Sequence, residues 1–397
     1  MKKYLGILFL FLAVAGVRNA CAQGADEPYP VKDIKPVVLQ DPYLIDPSET
    51  GMTVAWLTDS MSQSQVIYWE KGAPENKKVA VRQAHGLLAI GTFQWIRLSD
   101  LHPGQTYNYK VRSRRVVKIK PYWPVMGKWV ESPVYSFTTF DRNKSEIHFS
   151  SISDTHENVE RIKELMNLVD WSKTDFFVQT GDALNYVVSQ KQIFNKFLTP
   201  IADGLNQKIP FLYVRGNHDL RGPYARHWFD YFPYHGGNFY FTFNEGPAHF
   251  IVIDSGEDKP DSTNVYSGLN DLKDYRADEF AWVKKYVDTS KALKDAPFRI
   301  LLVHDPHWGW VDGQNEKWTK LANKANVDLV ISGHWHRFKR INPGGKSGND
   351  YPILVVGQKD VAHFEVTRKY IKVVVEDVNQ ETVDAFKIDR KGNILEL

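Results

Sequence analysis

Five short apolar runs in this sequence, 147–152, 176–179, 211–214, 300–303 and 329–331, each break off into side chains that bind metal ions. The first leads to Ser153, Asp154, Thr155 and His156, the second to Gly181 and Asp182, and the third to Gly216, Asn217, His218 and Asp219. The fourth leads to His304 and the fifth to Gly333, His334, Trp335 and His336. Runs of this kind read as buried strands, and in open α/β sheets the loops at strand carboxyl ends meet in one crevice. The five clusters are therefore expected to converge. Asp154 and His156, two positions apart at a strand end, can face the same way, and His334 with His336 repeats that spacing. A carboxylate such as Asp182 can bridge two cations, which lie about 3.5–4 Å apart in two-metal hydrolases. Asn217 adds a neutral carbonyl oxygen, and Gly181, Gly216 and Gly333 are read as letting the backbone turn tightly beneath the ions. A single histidine at a strand end is more often structural than a ligand; the ordered set carries the inference.

The order D-x-H, G-D, G-N-H-D, H, G-H-x-H resembles that of the calcineurin-like metallophosphoesterases, over residues 147–364. The resemblance implies an α/β fold, a four-layer α/β/β/α sandwich. It implies one metal on Asp154, His156, Asp182 and His336 and a second on Asp182, Asn217, His304 and His334. His218 would then face the substrate as a phosphate-stabilising group or general acid, so that Asp182 and His218 are the residues expected to matter most in catalysis. The expected cofactors are two divalent or trivalent ions, zinc, manganese or iron. The expected reaction is hydrolysis of a phosphate ester by a metal-bound hydroxide. Two departures separate the chain from purple acid phosphatases: Asp154, Thr155, His156, Glu157 stands for their Gly-Asp-x-Gly, and Asn185 stands where they place a metal-bound tyrosine. Tyr186 is one position late, so that ligand is not carried over and a purple ferric site is not expected. Asn185 also departs from the G-D-x-x-D-R-G pattern of phosphoprotein phosphatases.

Residues 35–140 offer short alternating runs, 52–57, 65–69, 93–98, 107–111 and 134–138, separated by turn residues, which argue for an all-β sandwich. Leu101, His102, Pro103 and Gly104 ahead of Tyr107 and Tyr109, and the strand carrying Trp56, resemble fibronectin type III domains. The basic stretch 114–130 reads as a long hairpin or loop before the last strand, a solvated edge unless it approaches the substrate. Polar residues 141–145 mark a boundary, and 145–397 forms the second unit, where strands alternate with helices. Val159, Ile162, Leu165, Met166 and Val169 share one helical face, as do Ile193, Phe194, Phe197, Leu198 and Ile201. From Ile353 the chain returns to strands, with 371–375 the clearest and Lys391 with Gly392 a final hairpin turn. The aromatic residues Trp228, Phe229, Tyr231, Phe232, Tyr234 and Tyr240 are read mainly as core, although with Trp308, Trp310 and Trp335 they could wall a substrate. Asp254 is read as structural, and His307 stands outside the ligand set.

At 397 residues the chain is long enough for two ordinary domains. Lys2 and Lys3, an apolar run from Tyr4 to Val17 and the small residues Ala20, Cys21 and Ala22 form a secretory signal over 1–22. Its run of about fourteen residues is short of the roughly twenty that span a bilayer. A periplasmic or secreted protein with no transmembrane span after cleavage is expected. Lipid attachment at Cys21 is the lesser reading, since Arg18 stands where an aliphatic residue belongs. Cleavage removes the only cysteine, leaving neither disulfide nor thiolate chemistry. It also removes Lys2, Lys3 and Arg18, so 50 basic residues less 3, against 47 acidic, give a net charge of zero. That balance weighs against a long nucleic-acid partner and favours a small phosphoester substrate. A nuclease or cyclic-nucleotide phosphodiesterase is the second reading, and a non-catalytic surface-binding protein the third.

Overall fold

The computed structural model describes residues 34–308, 311, 313–344 and 348–397. The signal-like segment 1–22 and Trp310 lie outside the described residues. Alternation along the strands assigns side chains to two cores. In Phe298–Leu302, Ile300 and Leu302 enter one large core, whereas Leu301 and the following Val303 enter a second. Phe250 and Val252 are divided from Ile251 and Ile253 in the same way. The first core fills the space between two sheets and continues onto the outer face of the first of them. One runs, neighbour by neighbour, through Pro210–Val214, Phe176–Thr180, Glu146–Ile152, Asp360–Thr367, Tyr370–Asp377, Thr382–Asp389 and Ile394–Glu396. The other runs through Phe241–Glu245, Ala248–Val252, Phe298–Leu302, Leu329–Ser332, Ile353–Val355 and Lys339–Ile341. Phe149 stacks on Phe176 and Phe364 with ring centroids 4.7 and 4.4 Å apart, and Phe176 meets Phe250 of the facing sheet edge-on at 5.4 Å. Helices Val159–Met166 and Thr199–Gly204 pack outside the first sheet, and Leu272–Thr289 and Asn315–Lys324 outside the second. The result is a four-layer α/β/β/α sandwich behind a β-rich N-terminal unit.

Local departures from the sequence expectation have physical causes. The helical face at 193–201 forms as Gln190–Ile193, a widened π turn over Phe194–Leu198, and Thr199–Gly204. Pro200 has no N–H to return to the carbonyl four residues back, and widening the preceding turn accommodates that loss. In the N-terminal unit, runs 52–57 and 65–69 belong to a single 20-residue strand, Gly51–Glu70, whose register shifts between Leu57 and Ser62. One half pairs with Ile90–Leu98 and the other with Thr106–Lys118, wrapping a core of Trp56, Tyr68, Tyr109 and Phe137. Tyr43–Ser48 pairs antiparallel with Gly51–Glu70 and parallel with Pro210–Val214, Leu44 opposite Pro210 and Ile45 opposite Phe211. The N-terminal unit and the first of the two sheets are therefore one continuous hydrogen-bonded sheet. Among the described residues no helix is long and apolar enough to cross a membrane.

The second sheet carries a titratable group that ties stability to pH. His249 is fully buried, with Nδ1 2.7 Å from Asn244 Oδ1 and its ring stacked on Tyr286 at 5.6 Å. Burial, helped by Arg299 and Arg142, depresses its pKa from 6.5 to about 4. A histidine whose folded pKa lies below its unfolded value contributes stability above pH 6.5 that is lost as pH falls toward 4. At about 1.4 kcal/mol per pKa unit, the loss amounts to about 3 kcal/mol. Thermal melts across that range should show His249→Gln losing less stability on acidification than wild type; parallel curves would contradict this account.

Candidate metal centre

The convergence follows from strand direction. Glu146–Ile152, Phe176–Thr180 and Pro210–Val214 are parallel neighbours in one sheet, and Phe298–Leu302 and Leu329–Ser332 are parallel neighbours in the other. All five carboxyl ends open at the same edge of the sandwich. There, donor atoms of Asp154, His156, Asp182 and His336 lie within 4.8 Å of one another, as do those of Asp182, His304 and His334. Asp182 belongs to both groups. Asn217 completes the second, its Oδ1 3.2 Å from His304 Nε2 and 3.0 Å from His334 Nδ1. All seven residues expected as ligands are thus gathered at one place.

Their backbone is unusual. Asp154, His156, Asp182, His334 and His336 all have positive φ, between 43° and 72°. Non-glycine residues seldom adopt that conformation, and it persists where surrounding structure enforces it, typically at functional sites. The glycines act differently from the sequence reading. Gly181 does take a positive φ of 88°, but Gly216 and Gly333 do not, and their role is close approach. A Cβ on Gly216 would overlap the Asp182 amide and carboxylate, and one on Gly333 would overlap Ser153 Oγ.

The donor set fits cations. Asp154 and Asp182 are buried, yet Asp154 Oδ1 and Asp182 Oδ2 have no hydrogen-bond partner, an arrangement that is costly without a compensating positive charge. His304 Nδ1 lies 2.7 Å from the Thr180 carbonyl and must donate to it, which leaves Nε2 facing Asp182 Oδ2 at 3.2 Å and Asn217 Oδ1. Electron pairs therefore confront one another unless a proton or a metal stands between them. Without metal the proton wins. Burial opposes a charge on His304, but Asp182 outweighs it and lifts the pKa to about 10, while burial is likewise overcome at Asp182, which His304 holds below the usual carboxylate range. His156 behaves oppositely, burial pushing it down to about 4 despite Asp182. Its Nε2 is 3.0 Å from His336 Nε2 and 3.7 Å from Asp182 Oδ2. A neutral imidazole among buried carboxylates is a ready metal ligand.

The calcineurin-like phosphoesterase family matches residues 148–338, which contain every one of these donors, and the N-terminal domain of purple acid phosphatases matches residues 43–139. The chain carries a calcineurin-like phosphoesterase domain. Among curated relatives, probable purple acid phosphatase 20 of Arabidopsis thaliana is 24% identical over 366 residues, covering 86% of this phosphoesterase and 79% of the plant protein. Purple acid phosphatase 22 of the same plant is 23% identical over 333 residues, covering 76% and 68%. Purple acid phosphatase PPD1 from yellow lupin (Lupinus luteus) seeds superposes with a TM-score of 0.65 at 14% identity, covering 89% of this chain and 74% of that one. PhoD superposes at 0.62 with 12% identity, covering 90% and 91%. At those identities the structural likeness is one of fold.

Beyond the ligand set, the phosphoesterase uses three residues that sequence reasoning left without a role. Asp219 is fully buried and accepts hydrogen bonds from the Asp182 amide at 3.1 Å, the Gly216 amide at 2.8 Å and the Tyr213 hydroxyl, tying two ligand loops together. Arg221 donates from Nε and Nη2 to Glu257 at 2.9 and 2.7 Å, and its Nη1 lies 3.0 Å from His218 Nε2. A guanidinium can only donate, so His218 Nε2 accepts and its hydrogen sits on Nδ1, 3.1 Å from the Asn185 carbonyl. The His218 ring is thereby fixed from both sides, 4.9 Å from the ring of His156. Asp219 could have been suspected from its place beside His218, but nothing local in the sequence links Arg221 to Glu257.

Other expectations resolve as follows. Trp228, Tyr231, Phe232 and Tyr234 are buried core, while Phe229 lines a groove of about 910 Å³ beside Arg221, together with Tyr186, Tyr266 and Tyr275. His307, Trp308 and Trp335 line a separate cavity of about 450 Å³. Asp254 is structural, buried and paired with half-buried Arg215 at 2.5 Å.

Proposed function

We propose that this metallophosphoesterase is an exported dinuclear enzyme that hydrolyses small phosphate esters. The observation that carries the reading is the pair of buried carboxylate oxygens, Asp154 Oδ1 and Asp182 Oδ2, whose near neighbours are imidazole nitrogens of His156, His304 and His336. Asp154, His156, Asp182 and His336 would hold one ion, and Asp182, Asn217, His304 and His334 the other. Bound there, such ions supply a water made acidic enough to attack and a positive field for the phosphoryl oxygens. The chain's own groups do the positioning. Asp182 sets the spacing of the two halves, and Asn217 adds an oxygen without adding charge. Asn185 and Arg221 hold His218 beside His156, and once its Nε2 exchanges the Arg221 contact for a proton, that N–H would donate to a phosphoryl oxygen. The groove beside Arg221 would receive the leaving group. Export is supported by Lys2, Lys3 and the apolar run that follows them.

Metal analysis of the purified protein, paired with turnover of an aryl phosphate, tests the reading. About two ions per chain with activity lost on chelation is the expected result. A metal-free chain that binds ligands without turnover would overturn it, and activity confined to nucleic acids or cyclic nucleotides would redirect it. Asn185 yields a further expectation. Its amide donates to the His156 carbonyl at 3.3 Å and its own carbonyl faces His218, and no phenol stands at that position. The metal-loaded protein should therefore lack the visible tyrosinate-to-iron absorption that colours purple acid phosphatases, even when loaded with iron. A purple ferric form would contradict this placement.

A further inference from the structure

The groove of about 910 Å³ borders His218. Two of the residues that line it flank that imidazole: Arg221, whose Nη1 lies 3.0 Å from His218 Nε2, and Tyr186, which follows Asn185, whose carbonyl lies 3.1 Å from His218 Nδ1. The rest of the groove is mainly apolar. Phe229 and Tyr275 line it with rings that other rings hold in place, Phe229 edge-on to buried Phe239 at 5.4 Å and Tyr275 tilted against Tyr240 at 5.7 Å. Tyr186, Val265 and Leu269 line it as well, and they are 54%, 71% and 69% exposed. Exposed apolar side chains that gather on one concavity mark a binding groove, where scattered ones need no explanation.

The charges of the groove are already matched. Arg215 pairs with Asp254 at 2.5 Å, Arg221 with Glu257 at 2.7 Å and Lys259 with Asp258 at 2.6 Å. Of its cations only Arg226 lacks an ion pair among the described residues, and it is exposed, with Nη2 3.4 Å from the Leu269 carbonyl. A polyanion would find its attraction to the paired cations offset by the carboxylates they hold. What the groove offers a ligand is apolar surface still in contact with water.

We propose that this groove selects the leaving group of the ester, taking a bulky, uncharged alcohol of the aryl or alkylaryl kind in preference to a charged one. The selection presupposes the phosphate-ester hydrolysis proposed above, with the phosphoryl group held near His218 and the remainder of the ester directed along the groove. A substrate long enough to reach Val265 and Leu269 takes their exposed surface out of water, and the gain grows with the apolar area covered. A charged leaving group of the same size gains nothing from those side chains and loses hydration.

Phenyl, 4-ethylphenyl and 4-butylphenyl phosphate test the proposal, because the three phenols differ in length and hardly in acidity. For the metal-loaded full chain kcat/KM should rise along the series, by up to about fourfold for each methylene buried. The charged 4-(carboxymethyl)phenyl phosphate should gain nothing over phenyl phosphate. Val265→Ser with Leu269→Ser should flatten the rise, the loss falling on the butyl ester more than on the phenyl ester. Both side chains are exposed, so the fold should survive, and circular dichroism checks that it does. Tyr122 serves as control, being exposed on the hairpin between Thr106–Lys118 and Val125–Met126 and outside the groove; Tyr122→Ser should keep the full rise. A level kcat/KM along the series, a rise that survives in the double variant or is lost equally in Tyr122→Ser, or an equal gain with the carboxymethyl ester would overturn the proposal while leaving the hydrolysis standing. Turnover of none of these esters would overturn the hydrolysis itself, and the selection with it.

Discussion

Asp182→Asn should retain the fold and lose both metals, with turnover of an aryl phosphate falling on the order of 10³-fold or more, beyond the roughly 10- to 100-fold typical of losing a partner behind a ligand. The size of the effect follows from position. Asp182 is the residue common to both donor groups, and its Oδ2 is 3.2 Å from His304 Nε2 and 3.7 Å from His156 Nε2. An asparagine could still accept the His218 amide, which lies 2.9 Å from Oδ1, so the loop should keep its shape. It could not supply the charge that draws a cation between the two histidine sets. Circular dichroism and metal content distinguish a lost site from a lost fold. A variant that keeps two ions and most of its turnover would remove Asp182 from the centre of the mechanism.

His218→Ala should behave differently, keeping its metals while turnover falls by about 10²- to 10⁴-fold, the range of a positioned acid, base or charge-stabilising side chain. Arg221→Ala should cost roughly tenfold through the same ring, because Arg221 holds His218 Nε2 at 3.0 Å while anchored on buried Glu257. Groups acting through one another do not add, so the double variant should be little worse than His218→Ala. Arg221→Lys should not restore activity, since a lysine cannot span Glu257 and His218 with one planar fork. Losses that multiply in the double variant would mean that Arg221 meets the substrate on its own account.

What could be read from the sequence was whatever the chain encodes locally. Each ligand follows an apolar run within a few residues, so Asp154, Asp182, Asn217, His304 and His334 announce themselves by type and by place. The helical face of Ile162, Leu165 and Met166 was legible for the same reason, since its period survives in any window. Features made by distant partners were not. The continuous Gly51–Glu70 strand hid behind polar residues at its bend, where Asp59 and Ser60 look like a turn. Arg221 reads as one more surface cation until Glu257, 36 positions later, folds beneath it. Two of the three glycines misled in mechanism: Gly181 does turn with a positive φ, but only the folded packing shows that Gly216 and Gly333 are small because Asp182 and Ser153 crowd them.

Because Tyr43–Ser48 lies along Pro210–Val214, the N-terminal unit is not a detachable module. Deleting it would strip the outer neighbour from the strand that delivers Asn217 and His218, leaving a bare row of amides and carbonyls prone to sticking to other copies. A shortened catalytic half should therefore aggregate or fold poorly, and grafting it elsewhere would require a substitute strand in the same register.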